Sequence, residues 1–427
     1  MVEALDHRPM QVVFYSHDSQ GLGHFRRNRA LARALADAVP ALTGRPVTGL
    51  LVNGVDGASG MSTPHGFDVV TLPAIGKGVN GYGPRHLGIG MGDLTTLRGE
   101  IVRATLSKFA PDLVVVDRHA LGVGRELEPA LRELRARRPG AHVVLGLREV
   151  LDDPAAVRRE WEATPPAVIR ELFDEIWVYG DPEVHDLRTT GELPGELADL
   201  VTFQGYLAKG RVEDPAGVDP ETPYLVTTVG GGSDGLRLCG AAAIARVPEG
   251  HNHVLITGPQ MSDDDYAKVL EVADPRTVVV RSVDDAAGLI RGAAASVSMA
   301  GYNTVAETMA TDVPALFVPR ERPRQEQLIR ARGLADLGVA DLLREDDLTP
   351  EALSAWWTRA SGRRVDRSRL DLAGLAAVGR RGAELAAAGP VRSTEHAPAR
   401  PHLRPAPLTA PATSAVTPFE ETPRVAV

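Results

Sequence analysis

The sequence predicts an α/β protein made of two doubly wound units in tandem, and three observations predict it. Short apolar runs alternate with helical stretches through both halves of the chain, the pattern of a parallel sheet covered by helices on both faces. A polar stretch rich in Gly, Pro and Asp, AKGRVEDPAGVDPET at 208–222, divides the alternation into two series. The leading strand of each series runs into a glycine-bearing turn, SHDSQGLGH in the first and VGGGSDG in the second. Such a turn before a helix brings free backbone N–H groups close to a ligand.

Taken in order, QVVFYS (11–16) reads as a strand and residues 24–38 as an amphipathic helix. PVTGLLVN (46–53) and FDVVTLP (67–73) are the next strands. IGKGVNGYGPRHLGIGMG (75–92) interrupts the pattern and reads as a long glycine-rich loop, either functional or simply at the surface. DLVVVD (112–117) precedes a helix near 123–137, HVVLGL (142–147) precedes a charged helical segment, and EIWVYG (175–180) closes the series. The second series holds PYLVTTV, HVLITG (253–258), TVVVRS (277–282), SVSMAG (296–301) and PALFVP (314–319). An Ala-rich amphipathic helix is expected at 366–388, and a Pro/Ala-rich tail, 389–427, is too poor in large apolar residues to pack. The expected division is an extension at 1–9, domains at 10–210 and 211–365, the helix 366–388, and a disordered tail.

Composition narrows the class. A chain of 427 residues with 43% hydrophobic and 24% charged residues is an ordinary globular protein with room for sizeable cores. Its net charge of −9 gives a nucleic-acid partner no support. The single cysteine, Cys239, excludes an internal disulfide and any cysteine-built metal site, and fits a reducing, cytoplasmic setting. No secretory leader and no transmembrane run is expected, which leaves peripheral membrane contact open.

Ligands of doubly wound sheets gather at the strand carboxyl ends. A dinucleotide fingerprint fails there: after Gly21 and Gly23 the third position is Arg26, and the second strand ends at Asn53-Gly54 rather than at an acid. VGGGSDG lacks the Lys-Ser/Thr pair of a phosphate-binding P-loop. No cofactor is therefore expected. His24 is the leading candidate base, with His17 and His119 as rivals and Asp117 placed to orient an imidazole. The competing reading is a helix-start histidine bonded locally. Arg26 and Arg27 read as solvated, although either one could meet an anionic acceptor.

In the second unit the backbone of Gly230, Gly231, Gly232 and Ser233 can approach a pyrophosphate, or merely make a tight turn. In SMAGYNTVAETMA a helix opening at Gly301 can hold phosphate, and Glu307 is expected on its first turn. Thr304 and Glu307 also fit a capping box, the bland alternative. Glu326 and Gln327 offer adjacent groups for sugar hydroxyls, or a solvated face. Asp263-Asp264-Asp265 contains D-x-D but reads as the acids of a helix start, so no metal is expected.

In order along the chain, G-L-G-H, V-G-G-G-S, A-G-Y-N-T-V-A-E and P-x(6)-E-Q-L-I-R-A resemble the GT-B glycosyltransferases of the MurG branch. More closely, SHDSQGLGHFRRN, GLREVLDDPAAVRREW, IWVYGDPEV and PRERPRQEQLIRA are similar to a bacterial group of predicted glycosyltransferases related to MurG, over about residues 10 to 385. The resemblance implies a GT-B fold with the two Rossmann-like domains facing across a cleft and the last helix packed back on the first domain. It implies inverting, metal-independent transfer from an NDP-sugar, with UDP the expected nucleotide, to a hydroxyl acceptor. Gly231, Gly232 and Ser233 would lie near the diphosphate, Gly301, Asn303 and Thr304 would cradle phosphate, Glu307 would hold the ribose, and Glu326 and Gln327 the donor sugar. His24 matches the family's Gly-Gly-His histidine. The acceptor side would include Gly21, Gly23, Arg26, Arg27 and Arg148. The first loop has fewer glycines than MurG's GGTGGH-like loop and adds two arginines, so a lipid-linked peptidoglycan acceptor is not implied. A nucleotide-sugar hydrolase or epimerase, and a non-catalytic nucleotide-sugar-binding protein, are the alternatives on the same fold.

Overall fold

The computed structural model describes residues 8–17, 23–55, 61–78, 81–209 and 222–388. The expected tail at 389–427 and most of the expected boundary at 208–222 lie outside these residues.

The first sheet contains β1 (Met10–Ser16), β2 (Val47–Asn53), β3 (Phe67–Thr71), β6 (Leu113–Asp117), β7 (His142–Arg148), β8 (Glu175–Tyr179) and β9 (Val201–Phe203). All pair in parallel, in the order β3-β2-β1-β6-β7-β8-β9. The runs YLVTT, LVVVD and EIWVY are buried almost throughout because helices cover both faces of their sheets. The helices that follow are α1 (Gly23–Thr43), α2 (Met91–Phe109), α3 (Glu128–Arg137), α4 (Pro154–Glu162) and α5 (Pro166–Leu172). Along α1, Phe25, Leu31, Ala32, Leu35 and Val39 recur at helical spacing and are buried. The glycine-rich stretch expected to be a loop folds partly as an antiparallel hairpin, β4 (Ile75–Gly78) with β5 (Gly81–Pro84), before entering α2. Its glycines hid the strand signal.

The second sheet has β10 (Tyr224–Thr228), β11 (Asn252–Ile256), β12 (Thr277–Val280), β13 (Ala295–Ser298), β14 (Ala315–Phe317) and β15 (Asp341–Leu342). Its order, β12-β11-β10-β13-β14-β15, is that of a Rossmann sheet. Its helices are α6 (Leu236–Ile244), α7 (Asp263–Glu271), α8 (Ala286–Gly292), α9 (Tyr302–Met309), α10 (Glu326–Asp336) and α11 (Pro350–Ala360). α7 begins with the three aspartates, and Ser262 caps it by accepting from Asp265 N–H.

The chain then crosses back. Arg367 donates to the carbonyls of Val339, Thr311 and Val313, which pins the crossing segment to the second domain. The last helix, α12 (Gly374–Ala388), starts later than the expected 366 because Asp366 and Asp371 bond the N–H groups of Ser368 and Ala373 in turns. It lies on α1, where Gly379 sits against Ala38 and Gly382 against Leu35. One apolar cluster runs from β1 and α1 through α12, Tyr206 and Tyr302 into α9 and α10. The two sheets thus share packed interior where their carboxyl ends approach. No described helix is long and apolar enough to cross a membrane.

Candidate active site between the two sheets

In each sheet the strand order reverses between neighbours, β1 and β6 in the first and β10 and β13 in the second. Such a reversal opens a crevice beyond the strand ends.

In the first sheet, β1 delivers His17 and β6 delivers Asp117, Arg118 and His119, while α1 returns His24 and Arg27 over them. Arg118 adopts φ 67°, a left-handed conformation costly for a side-chain-bearing residue and common at functional turns. Arg27 is buried and binds Asp117 through Nε at 3.0 Å and Nη2 at 2.6 Å. The His24 Nδ1 atom lies 3.3 Å from Asp117 Oδ2 and 2.8 Å from Arg27 Nη2. The His17 ring stands 4.9 Å from the His24 ring and 4.3 Å from the His119 ring. Burial pushes the Asp117 carboxyl up, but Arg27 and then His24 outweigh it and hold the group well below the usual carboxylate range. Burial, reinforced by neighbouring cations, lowers His119 to about 3 and also lowers His17 far below the ordinary imidazole value, so both are neutral near pH 7. Two tautomers of His24 follow. A proton on Nδ1 points to Asp117 and leaves the Nε2 lone pair free as a base; a proton on Nε2 lets Arg27 donate to Nδ1.

The sequence-predicted trio His24, Asp117 and His119 is therefore brought together. Arg26 is exposed. Arg27 departs from the solvated reading: its guanidinium is taken by Asp117 and is not free for an acceptor. Gly23 opens α1, and Gly21 lies outside the described residues.

In the second sheet, the loop after β10 interlocks with the loop after β11. Gly232 has φ 93°, and a Cβ there would strike the carbonyl of Thr257; the Gln260 N–H donates to the Gly231 carbonyl at 2.9 Å. Gly230, Gly231 and Ser233 remain exposed beside it. After β13, Ala300 takes φ 62° and Gly301 is the N-cap of α9, with no side chain capping the helix. The capping-box alternative falls here: Thr304 is the third helical residue, and Glu307 sits on the second turn rather than the first. Glu326 is buried; Oε1 accepts from Arg320 Nη2 at 2.6 Å, and Oε2 has no partner among the described residues. The Gln327 side-chain oxygen accepts from Arg320 N–H at 3.0 Å. Asp263, Asp264 and Asp265 stay helix-start acids, and the described residues contain no group of three ligands able to hold a metal.

The two halves meet. The Asn303 side-chain amide donates to the Gly23 carbonyl at 3.2 Å, so the starts of α1 and α9 adjoin. The Arg27 guanidinium lies 5.6 Å from the centroid of the Tyr302 ring. The N–H of Gln325 donates to Asp152 at 2.8 Å. At the centre, Arg330 from α10 binds Glu149, just past β7, with Nε to Oε1 at 2.6 Å; both side chains are fully buried. Sequence reasoning missed Glu149, Tyr206, Tyr302, Arg320 and Arg330. One signal was present: Arg330 stands four residues after Glu326 on α10 and so shares its face.

Residues 226–360 match the glycosyltransferase family 28 C-terminal domain. The second domain is a family 28 domain. Its glycine turn and the start of α9 fall inside this match. Among curated proteins, the chain is 32% identical over 200 residues to a UDP-N-acetylglucosamine–N-acetylmuramyl-(pentapeptide) pyrophosphoryl-undecaprenol N-acetylglucosamine transferase of Acidothermus cellulolyticus, covering 44% of this chain and 51% of that one. The transferase of the same name from Levilactobacillus brevis is 30% identical over 167 residues, covering 38% and 43%. The chain thus spans about half the length, or less, of the curated relatives it matches. Solved structures show the fold. The calicheamicin glycosyltransferase CalG4 superposes with TM-score 0.52 at 17% identity, covering 89% of this chain and 96% of that one. UGT2 of Phytolacca americana, complexed with UDP-2-fluoro-glucose and pterostilbene, gives 0.54 at 15% identity, covering 88% and 94%. The family 28 domain and the sheet before it together form a GT-B fold.

Proposed function

We propose that the protein transfers a glycosyl group, with inversion, from a nucleotide diphosphate sugar to a hydroxyl acceptor. The observation that carries the reading is the meeting of two helix starts at the sheet carboxyl ends, one bearing the His24–Asp117 pair and the other an N-terminus that no side chain caps. The relatives' printed names support UDP as the nucleotide. The diphosphate would lie against the N–H groups of α9 and the Gly230–Ser233 turn, with Thr304 beside it and Glu307 reaching the ribose. Helix dipole and backbone donors stabilise the departing diphosphate, and the reading needs no metal. With its proton on Nδ1 held by Asp117, His24 uses Nε2 to take the acceptor hydroxyl's proton as that oxygen attacks the anomeric carbon. The C–O bond to the diphosphate breaks on the opposite face. His119 and His17, neutral and packed around His24, keep the imidazole in place. The acceptor is read as a sugar or other alcohol on the first-domain side. A cytoplasmic setting belongs to the same reading, in line with the single, buried Cys239.

The experiment is a product assay with UDP-sugars and a panel of alcohol acceptors, run on wild type and His24→Ala. A loss of turnover of about 10²–10⁴-fold with donor binding kept is the expected result. Turnover near wild type in His24→Ala removes the base assignment, and release of free sugar without any acceptor points to a hydrolase instead.

A further inference from the structure

Arg148 ends β7, inside the space bounded by the two sheets' carboxyl ends, and the mechanism above does not use it. Four other arginines of the candidate site are all partnered: Arg27 binds Asp117, Arg118 binds Glu160, Arg320 binds Glu326 and Asp234, and Arg330 binds Glu149. Arg148 has neither a hydrogen bond nor an ion pair among the described residues, and its Nε is fully buried without a partner. Arg148 as a whole is only half-buried: Nε is closed off from water without a partner, and the unbonded Nη atoms are the part left accessible to a ligand. Its surroundings are cationic. Burial first, then Arg330 and Arg27, lower Arg148 to about 10, and Arg118 adds to the effect, with Glu326 opposing it.

That opposing group is the second observation. Glu326 comes from the other domain and is also incompletely satisfied: Oε2 is buried with no hydrogen-bond partner. Arg330, one turn along α10 from Glu326, binds Glu149, the residue next to Arg148, so the two side chains belong to the same region, yet Arg148 and Glu326 form no ion pair. An unmatched cationic donor on the first domain and an unmatched carboxylate oxygen on the second thus stand near the same junction of β7 and α10. A ligand satisfying both must present an anionic group to Arg148 and a hydroxyl donor to Glu326. Tyr179, paired in register with Arg148, adds another buried hydroxyl without a partner.

We propose that Arg148 is the receptor for an acidic substituent, a carboxylate or phosphate, carried by one of the sugar substrates beside a hydroxyl held by Glu326. This deepens the transferase reading and rests on it for the identity of the ligand as a sugar. The acid has two possible sources, the transferred sugar or the acceptor, and binding experiments separate them.

Calorimetry on the full chain compares UDP-glucuronate with UDP-glucose, and, with UDP added, glucuronate and glucose 1-phosphate with glucose. The same series is run on Arg148→Gln, with thermal unfolding of both proteins. The expected result is a preference of at least about tenfold for the acidic member in one arm, lost in Arg148→Gln, while UDP itself binds both proteins equally. A preference in the first arm assigns the acid to the donor, and one in the second arm to the acceptor. Arg148→Gln should melt no lower than wild type, because it removes an unpaired charge and no bond. No acidic preference in either arm, a preference that survives in Arg148→Gln, or a lower melting temperature overturns the proposal. UDP binding without acidic preference fails this proposal and leaves the transferase reading standing. If UDP does not bind at all, its assignment as the nucleotide fails, and glucuronate against glucose without nucleotide still decides the role of Arg148.

Discussion

Replacing Arg330 by Met removes one half of the ion pair that joins the two domains. Both partners are fully buried, and the pair is two-pronged: Nε to Oε1 at 2.6 Å and Nη2 to Oε2 at 3.2 Å. Glu149 keeps only neutral donors, the Tyr206 hydroxyl to Oε1 at 2.9 Å and the Val150 N–H to Oε2 at 3.3 Å, and the Ala300 carbonyl loses the Arg330 Nη1 donor at 3.1 Å. An uncompensated charge in such a site costs about 3–5 kcal/mol. Glu149→Gln leaves Arg330 unpaired and should cost a similar amount, whereas Glu149→Gln with Arg330→Met removes both charges and should cost less than either single change. The assay is equilibrium urea unfolding of the four proteins. Buried Trp177 reports on the first domain and Trp356 and Trp357 on the second, with far-UV circular dichroism as a common probe. Single changes costing under about 1 kcal/mol, or a double variant whose cost is the sum of the singles, would refute the claim that this pair ties the domains together. The same change should weaken donor binding, because Arg330 holds the carbonyl of Ala300, whose left-handed turn sets the start of α9.

Three further outcomes follow from the site and its supports. Asp117→Asn turns the partner of His24 from an acceptor into an amide and leaves Arg27 unpaired, so turnover should fall about 10²–10⁴-fold and stability by several kcal/mol, read by product assay and thermal melting; turnover near wild type would remove Asp117 as the group that orients His24. Gly232→Ala places a Cβ against the Thr257 carbonyl at φ 93°, so nucleotide binding should drop with the loop's distortion, measured by calorimetry; unchanged affinity would exclude this turn from the donor site. His253 is buried between the hydroxyls of Thr227 and Thr277, and burial lowers it to about 3. Between pH 6.5 and 3 the unfolded chain holds the proton and the folded one does not, so stability falls on acidification by about 1.4 kcal/mol per pH unit for each such histidine. His253→Gln should flatten that slope by one proton, and an unchanged slope in urea unfolding across that range would refute it.

Much of the architecture was legible because its signals are local. Val-rich strands such as LVVVD and helices with regular apolar spacing declare themselves, and their alternation sets the two sheets. The β4–β5 hairpin was not legible because Gly76, Gly78, Gly81 and Gly83 occupy half of its paired positions. The short β9 and β15 carry too few residues for any pattern. In the candidate site, the convergence of His24, Asp117 and His119 was legible because each stands at a strand end or a helix start. Arg27 was misread as solvated, since nothing local shows that its helix turns it towards Asp117, ninety residues away. Glu149 and Arg330 are likewise separated by 181 residues, so only tertiary structure shows that they meet.

The central claim is that the second domain binds a nucleotide sugar at the start of α9. Calorimetry with UDP-, GDP-, dTDP- and CDP-sugars on wild type and Glu307→Ala tests it most directly. The account predicts that one nucleotide, with UDP expected, binds wild type and binds Glu307→Ala at least about tenfold more weakly, the loss of a charge-assisted hydrogen bond. No binding by any of the four at millimolar concentration, or equal binding by both proteins, would contradict it.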